Sequence, residues 1–334
     1  DFTLSTAPLA SHDTARIAAS VALAADDRFR NVRLEGDANL DASGNAEDNE
    51  LGGNAGDNAL SGESGNDTLI GYEGDDTFDG GEGDDTYYVD DPGDVVAESD
   101  PVVSAGLSLR RSDGRDPEPS GTGGGIDTVI SQVSHTLKSN IENLTLSGND
   151  DLQGNGNSLA NILTGNGGNN LLSALGGADI VDGGAGDDTV QGGDGEDTLG
   201  GGDGNDTLSG GAGVDVLSGG KGTDRFTFDA VLGSGNVDTI SDFTVGKEKI
   251  QLDDDVFKAF NAGTATTLTA AQFLAAAGAS AAQTESQRIV YDTASGKLYY
   301  DADGLGGAAA QHFATFGSGS SIPLLGAADF LIVG

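Results

Sequence analysis

Apolar side chains in this chain recur on a nine-residue beat. Leu51, Leu60, Leu69, Phe78 and Tyr87 form one run, and Leu163, Leu172, Val181, Val190, Leu199, Leu208, Leu217 and Phe226 form a longer one. Two residues before each stands a polar side chain: Asn49, Asn58, Asp67, Asp76 and Asp85, then Asn161, Asn170, Asp179, Asp188, Asp197, Asp206, Asp215 and Asp224. Two residues further back, glycine occupies eleven of the thirteen positions. Composition alone would place about two there, so the beat is an internal repeat. A period with one apolar residue and paired glycines excludes helices. It predicts very short strands joined by tight turns, each strand sending one side chain inward and stacking on its neighbours.

The unit reads G-G-x-G-x-D-x-U-x, with U apolar, the nonapeptide of calcium-binding parallel β-helices. Its aspartate supplies a hard carboxylate oxygen and the turn carbonyls supply more, which suits the six to eight oxygens that calcium takes. The predicted fold is therefore all-β, a parallel β-roll or β-solenoid stacked on calcium. Two nonapeptides make one turn, so the eight units of the second run give about four turns, roughly 19 Å at the spacing of stacked strands. Asp67, Asp76, Asp85, Asp179, Asp188, Asp197, Asp206, Asp215 and Asp224 are the candidate ligands. The four asparagines are neutral and are expected to serve as turn residues.

A second repeat is longer. Residues 143–148 match residues 31–36 at an offset of 112, and the match runs without gaps to Ser61 and Ser173. Backwards it aligns Ile17 with Val129 and Val21 with Val133. Residues 14–25 look helical by propensity, but their partner segment alternates like a strand, and the strand reading is preferred. The organisation that follows is a strand-rich lead-in at 1–43 and a first calcium-binding block at 44–99. An inserted loop at 100–125, with Arg110, Arg111 and Arg115, precedes a second lead-in at 126–160. A second block at 161–228 and a C-terminal cap at 229–334 complete it. In the cap, residues 237–243 and 249–252 read as strands and residues 268–277 as a short helix N-capped by Thr269. Residues 288–292 and 297–301 read as a hairpin. Asp301-Ala-Asp-Gly304 opens like an EF-hand loop, but position twelve is His312, so it is read as a turn.

Charge sharpens this picture. The 334 residues carry 55 acidic and 15 basic side chains, a net charge of -40, and no Lys or Arg lies between Gly44 and Asp91. Such a surface excludes nucleic acid as a partner and favours cations. Without cations the stacked turns repel one another, so calcium is expected to drive folding, with affinities of roughly 10⁻⁴ to 10⁻³ M. Cysteine is absent, and no stretch is long and apolar enough for membrane insertion as a helix. The first residue is Asp1, so the chain reads as a fragment or processed product whose parent continues upstream.

The nonapeptides, the Asp-Thr-Ile-Ser-Asp-Phe at 238–243 and the closing Asp-Phe-Leu-Ile-Val-Gly at 329–334 resemble repeats-in-toxin (RTX) exoproteins of Gram-negative bacteria. The resemblance implies secretion by a type I apparatus that reads an uncleaved C-terminal signal. It also implies that glycine carbonyls join the aspartates on calcium: Gly62, Gly65, Gly71, Gly74, Gly80 and Gly83 in the first block. In the second they are Gly183, Gly186, Gly192, Gly195, Gly201, Gly204, Gly210, Gly213, Gly219 and Gly222. Glu47, Leu159 and Ala174 break the glycine pattern, and their turns are expected to hold calcium poorly or not at all.

No catalytic site is expected. His12, His135 and His312 are scattered, and there is no H-E-x-x-H, G-x-S-x-G, Walker or G-x-G-x-x-G motif. Two roles fit: a structural, self-assembling or adhesive extracellular protein at the cell surface, or the calcium-dependent folding and export module of a larger RTX enzyme or toxin.

Overall fold

The computed structural model describes residues 14–24, 30–98, 125–260, 266–317 and 322–334. The expected loop at 100–125, with its three arginines, falls outside them except at Gly125, as do the first thirteen residues of the lead-in. The chain divides into two compact units, residues 1–147 and 148–334.

The first unit is a parallel solenoid with two sheets. One stacks Thr14–Ile17, Asn31–Leu34, Glu50–Gly52, Thr68–Ile70, Thr86–Val89, Thr128–Ser131 and Asn143–Leu146. The other stacks Val21–Ala22, Asp41–Ser43, Ala59–Ser64, Thr77–Glu82 and Val95–Val96. Residues nine apart thus alternate between sheets, and residues eighteen apart are neighbours, as in Glu50 beside Thr68 beside Thr86. The segment with helical propensity forms strands Thr14–Ile17 and Val21–Ala22. Pairing with Asn31–Leu34 decides its conformation.

The second unit repeats this plan. Ile162–Thr164, Ile180–Asp182, Thr198–Asp203, Val216–Lys221, Asp238–Ile240 and Gln311–Phe316 stack in parallel on one side. Gln153–Asn155, Leu171–Gly176, Thr189–Asp194, Thr207–Ala212, Arg225–Phe228, Lys249–Asp253 and Phe330–Val333 do so on the other. The predicted hairpin is Ile289–Asp292 against Lys297–Tyr300, and it pairs onward with Gln311–Phe316. The short helix expected over 268–277 is not an α-helix. Thr269 and Gln272 close a single 3-10 turn at Ala270–Gln272, and Phe273–Ala276 is a strand pairing with Ile289–Asp292. The alanine-rich run has helical propensity, but an open sheet edge beside it offers a full set of backbone partners.

All thirteen apolar residues of the beat are at most 2% exposed. Each contributes about 1.5–3 kcal/mol of burial, and this one-residue-wide column is the core of the repeat region. In the second unit it ends on aromatic packing: Phe243 meets Phe226 and Phe316, and Phe313 meets Phe228 and Phe257. These rings cover a cross-section that would otherwise be open to water.

Candidate metal centres

Each aspartate of the beat opens a strand, and its carboxylate does two different things. Its Oδ1 accepts the backbone N–H of the residue one full turn upstream. In the first unit Asn49 donates to Asp67 (2.6 Å), Asp67 to Asp85 (2.7 Å), and Asp85 to Asp127 (2.8 Å). Asp127 in turn donates to Glu142 Oε2 (2.9 Å). On the other sheet Asn58 donates to Asp76 and Asp76 to Asp94. In the second unit one ladder runs Asn161, Asp179, Asp197, Asp215, Asp238, and the other runs Asn170, Asp188, Asp206, Asp224.

The second oxygen, Oδ2, is buried without a hydrogen-bond partner in all nine predicted aspartates and in Asp127. A native structure rarely buries one such acceptor without compensation, and here the same atom is left over in turn after turn. The glycine five residues before each of the predicted aspartates except Asp179 makes room for it. A Cβ on Gly62, Gly183, Gly192 or Gly201 would collide both with that Oδ2 and with the carbonyl oxygen of the glycine eighteen residues on. Carboxylate and carbonyl oxygens therefore converge on one small space. The glycine two before the aspartate has a separate duty. At Gly195 φ is +150°, and a Cβ there would strike the carbonyl of Gly177 in the turn upstream. Ala174 places a methyl where other turns have the first glycine.

Electrostatics agrees with the geometry. Burial, only partly offset by the backbone hydrogen bond, pushes the carboxyls of Asp67, Asp76, Asp85, Asp179 and Asp188 from 3.8 up to about 7. Those of Asp197 and Asp206 reach about 6. Asp215 and Asp224 are raised as well, for the same reason. The ion pairs Arg16–Glu35, Arg30–Glu47 and Lys221–Asp203 lie on exposed side chains and do not involve the ladders. Desolvated carboxylates beside carbonyls fit a hard divalent ion.

The asparagine turns are built differently. The side-chain oxygens of Asn49, Asn58, Asn161 and Asn170 accept the N–H of Asn45, Asn54, Asn157 and Asn166 four residues earlier. Their amide nitrogens donate back to those residues' side-chain oxygens. The amide thus closes the turn by itself and leaves no oxygen over.

Sequence reasoning missed Asp94, Asp127, Asp238, Glu98 and Glu142. Three of these carried a signal, because Val96, Val129 and Ile240 stand two residues after Asp94, Asp127 and Asp238 and are buried. Asp94 and Asp238 lack the glycine two residues before, where Pro92 and Asn236 stand, and Asp127 has it at Gly125 but falls off the nine-residue count. Glu98 and Glu142 have no such mark.

Residues 52–87, 155–190 and 191–226 match the family model of the RTX calcium-binding nonapeptide repeat (4 copies). No curated protein matches the chain. The matched stretches contain all nine predicted aspartates together with their inward apolar partners. RTX nonapeptide repeats bind Ca2+, and a parallel roll in which each repeat aspartate leaves one carboxylate oxygen unpartnered suits such binding: the chain carries RTX-type calcium-binding repeats folded as a β-roll.

Proposed function

We propose that this chain is secreted, folds around extracellular calcium, and acts as a structural, self-assembling or adhesive protein at the cell surface. The observation that carries the calcium-driven folding is the row of unpartnered Oδ2 atoms in Asp67, Asp76, Asp85, Asp179, Asp188, Asp197, Asp206, Asp215 and Asp224. These aspartates are the proposed ligands, completed by carbonyls of the paired glycines. Calcium would supply positive charge between turns; the chain's own residues supply the oxygens, the spacing and the dry wall behind them. At low intracellular calcium the carboxylates repel and the thin core does not compensate, so the chain stays extended for a type I apparatus. Outside, millimolar calcium closes it.

Self-association is favoured by a stripe on the second unit. Ile162, Ile180 and Val216 stand at register positions of one parallel sheet and face outward, 47%, 52% and 42% exposed. Thr198 completes the column between Ile180 and Val216. A flat column of β-branched side chains on a sheet face is a surface suited to lateral packing.

Two measurements test the proposal. Far-UV circular dichroism should show β structure in millimolar calcium that is lost on chelation; an unchanged signal after chelation refutes calcium-driven folding. Analytical ultracentrifugation in calcium should show assemblies that Ile180→Asp disperses. A wild-type chain that stays monomeric at every calcium concentration refutes the assembly role.

A further inference from the structure

The turn that closes the first block differs from the other described turns. Asp85, Glu98 and Asp127 bring one carboxylate oxygen each within 4.8 Å of one another, a grouping of three that no other His, Cys, Asp or Glu residues make among the described residues. Asp85 and Asp127 are each 1% exposed, and the Oδ2 of each has no partner. Both are held in place by their other oxygen: Asp85 Oδ1 accepts the Asp67 N–H at 2.7 Å, and Asp127 Oδ1 accepts the Asp85 N–H at 2.8 Å. Glu98 is fixed by the N–H groups of Gly80 (3.2 Å) and Gly81 (3.3 Å).

What sets this turn apart is the residue eighteen beyond the first glycine. For Gly62 that residue is Gly80, which presents a neutral carbonyl. For Gly80 it is Glu98, which presents a carboxylate. Tyr87 Oη also lies against the Gly80 Cα, where it accepts the Gly80 N–H at 3.0 Å, and adds a neutral oxygen beside Asp85 Oδ2. Three carboxylates therefore converge where a repeat turn offers two and a carbonyl.

We infer that Asp85, Glu98 and Asp127 form a distinct calcium site, tighter than those of the repeat turns and filled before them. Calcium affinity rises with the number of charged ligands, and this turn has one more, held in place by two backbone N–H groups. The inference rests on the proposal that the repeat aspartates bind calcium. The unloaded cluster is correspondingly strained. Burial first, and then the neighbouring carboxylates, push Asp127 up to about 9 and Glu98 to about 7, with backbone hydrogen bonds lowering both in part. A divalent ion relieves that repulsion without requiring protons.

The test is calcium uptake by the full chain in competition with a chromophoric chelator. Wild type should show one step at least about tenfold tighter than the rest. Glu98→Gln, which keeps the size of the side chain and an oxygen to accept an N–H, should move that step into the weaker group. Asp197→Asn, in the other unit, should keep the tight step and weaken the later ones. A Glu98→Gln curve that superimposes on wild type, while Asp197→Asn weakens uptake, overturns this site and leaves the repeat sites standing. No uptake by wild type overturns both. Crystals of calcium-loaded wild type give an answer independent of variant folding. An anomalous peak among the three carboxylates supports the site, and peaks along the repeats with none here refute it.

Discussion

Replacing Asp206 by asparagine should change stability in opposite directions with and without calcium. In the loaded roll the substitution removes a charged ligand. At about 10 mM calcium, an ion held with a dissociation constant of 10⁻⁴ to 10⁻³ M stabilises the fold by about 1.4–2.7 kcal/mol, and that much is lost. In the calcium-free roll the same carboxylate is a liability. Its carboxyl is pushed from 3.8 to about 6, first by burial. Because the folded value is the raised one, its contribution is complete below about pH 4, and it is lost as pH rises through about 6. At pH 8 the ionised form opposes folding by an amount that two units would put near 3 kcal/mol, which solvent screening in an open turn reduces to about 1–2 kcal/mol. Asparagine removes that term. Its Oδ1 can still accept the Asp188 N–H, and its amide nitrogen would stand beside the Gly219 carbonyl that converges with Asp206 Oδ2 on Gly201. Urea titrations followed by circular dichroism at pH 8, in calcium and in EDTA, read both arms. The variant should have the lower midpoint in calcium. In EDTA it should have the higher midpoint, or more residual β signal if wild type is already unfolded. The same sign in both conditions would refute the account of Asp206 as a calcium ligand strained in its absence.

Other outcomes follow from the same structure. The carboxyls of Asp67, Asp76, Asp85, Asp179 and Asp188 reach about 7 in the folded chain. The calcium-free roll should therefore be most structured near pH 4 and lose β signal as pH rises through about 7. Apparent calcium affinity should fall as pH drops below about 7, because protons compete for the same oxygens; equal signals in EDTA at both ends of that range would contradict this. Leu199→Ala empties a core position that is 1% exposed and should cost about 2–4 kcal/mol in calcium-saturated urea unfolding, since the thin column has little else to collapse into the space. Leu175 stands at φ +77° in a turn position that Gly184 and Gly193 fill elsewhere, and its side chain is 53% exposed. Relief of the left-handed strain, less the entropy that glycine adds to the unfolded chain, should make Leu175→Gly more stable by about 0.5–1 kcal/mol, seen as a raised urea midpoint.

The repeat was legible because each unit states its own structure. Leu69 is inward because Asp67 precedes it and Gly71 follows, and the same local grammar holds at Leu199. Residues whose role depends on a distant partner were not legible. Asp127 lies 42 residues beyond the residue whose N–H it accepts, so no nine-residue frame reaches it. Glu98 acts only because the fold carries it to Gly80 and Gly81. Residues 268–277 read as helix because alanine and leucine speak for helices locally, whereas the edge at Ile289–Asp292 decides the matter from outside. The asparagines were read as turn formers, but not that each would pair with a second asparagine four residues earlier. That N-x-x-x-N pattern is visible in the sequence, and its meaning is chemical: a neutral amide does locally what an ion would otherwise do between turns.

The bond between the Asp85 N–H and Asp127 has the same length, to about 0.1 Å, as the bond between the Asp67 N–H and Asp85, although one spans 42 residues and the other eighteen. Phase in this roll is therefore kept in space and not along the chain. Doubling the length of an intervening segment costs only about 0.6 kcal/mol of closure entropy, provided that a carboxylate arrives at the same place. The position in the chain between Glu98 and Gly125 is thus a splice point, where an unrelated sequence could be carried without renumbering the core. A scaffold with such a point can acquire new cargo by insertion while its repeats continue undisturbed on either side.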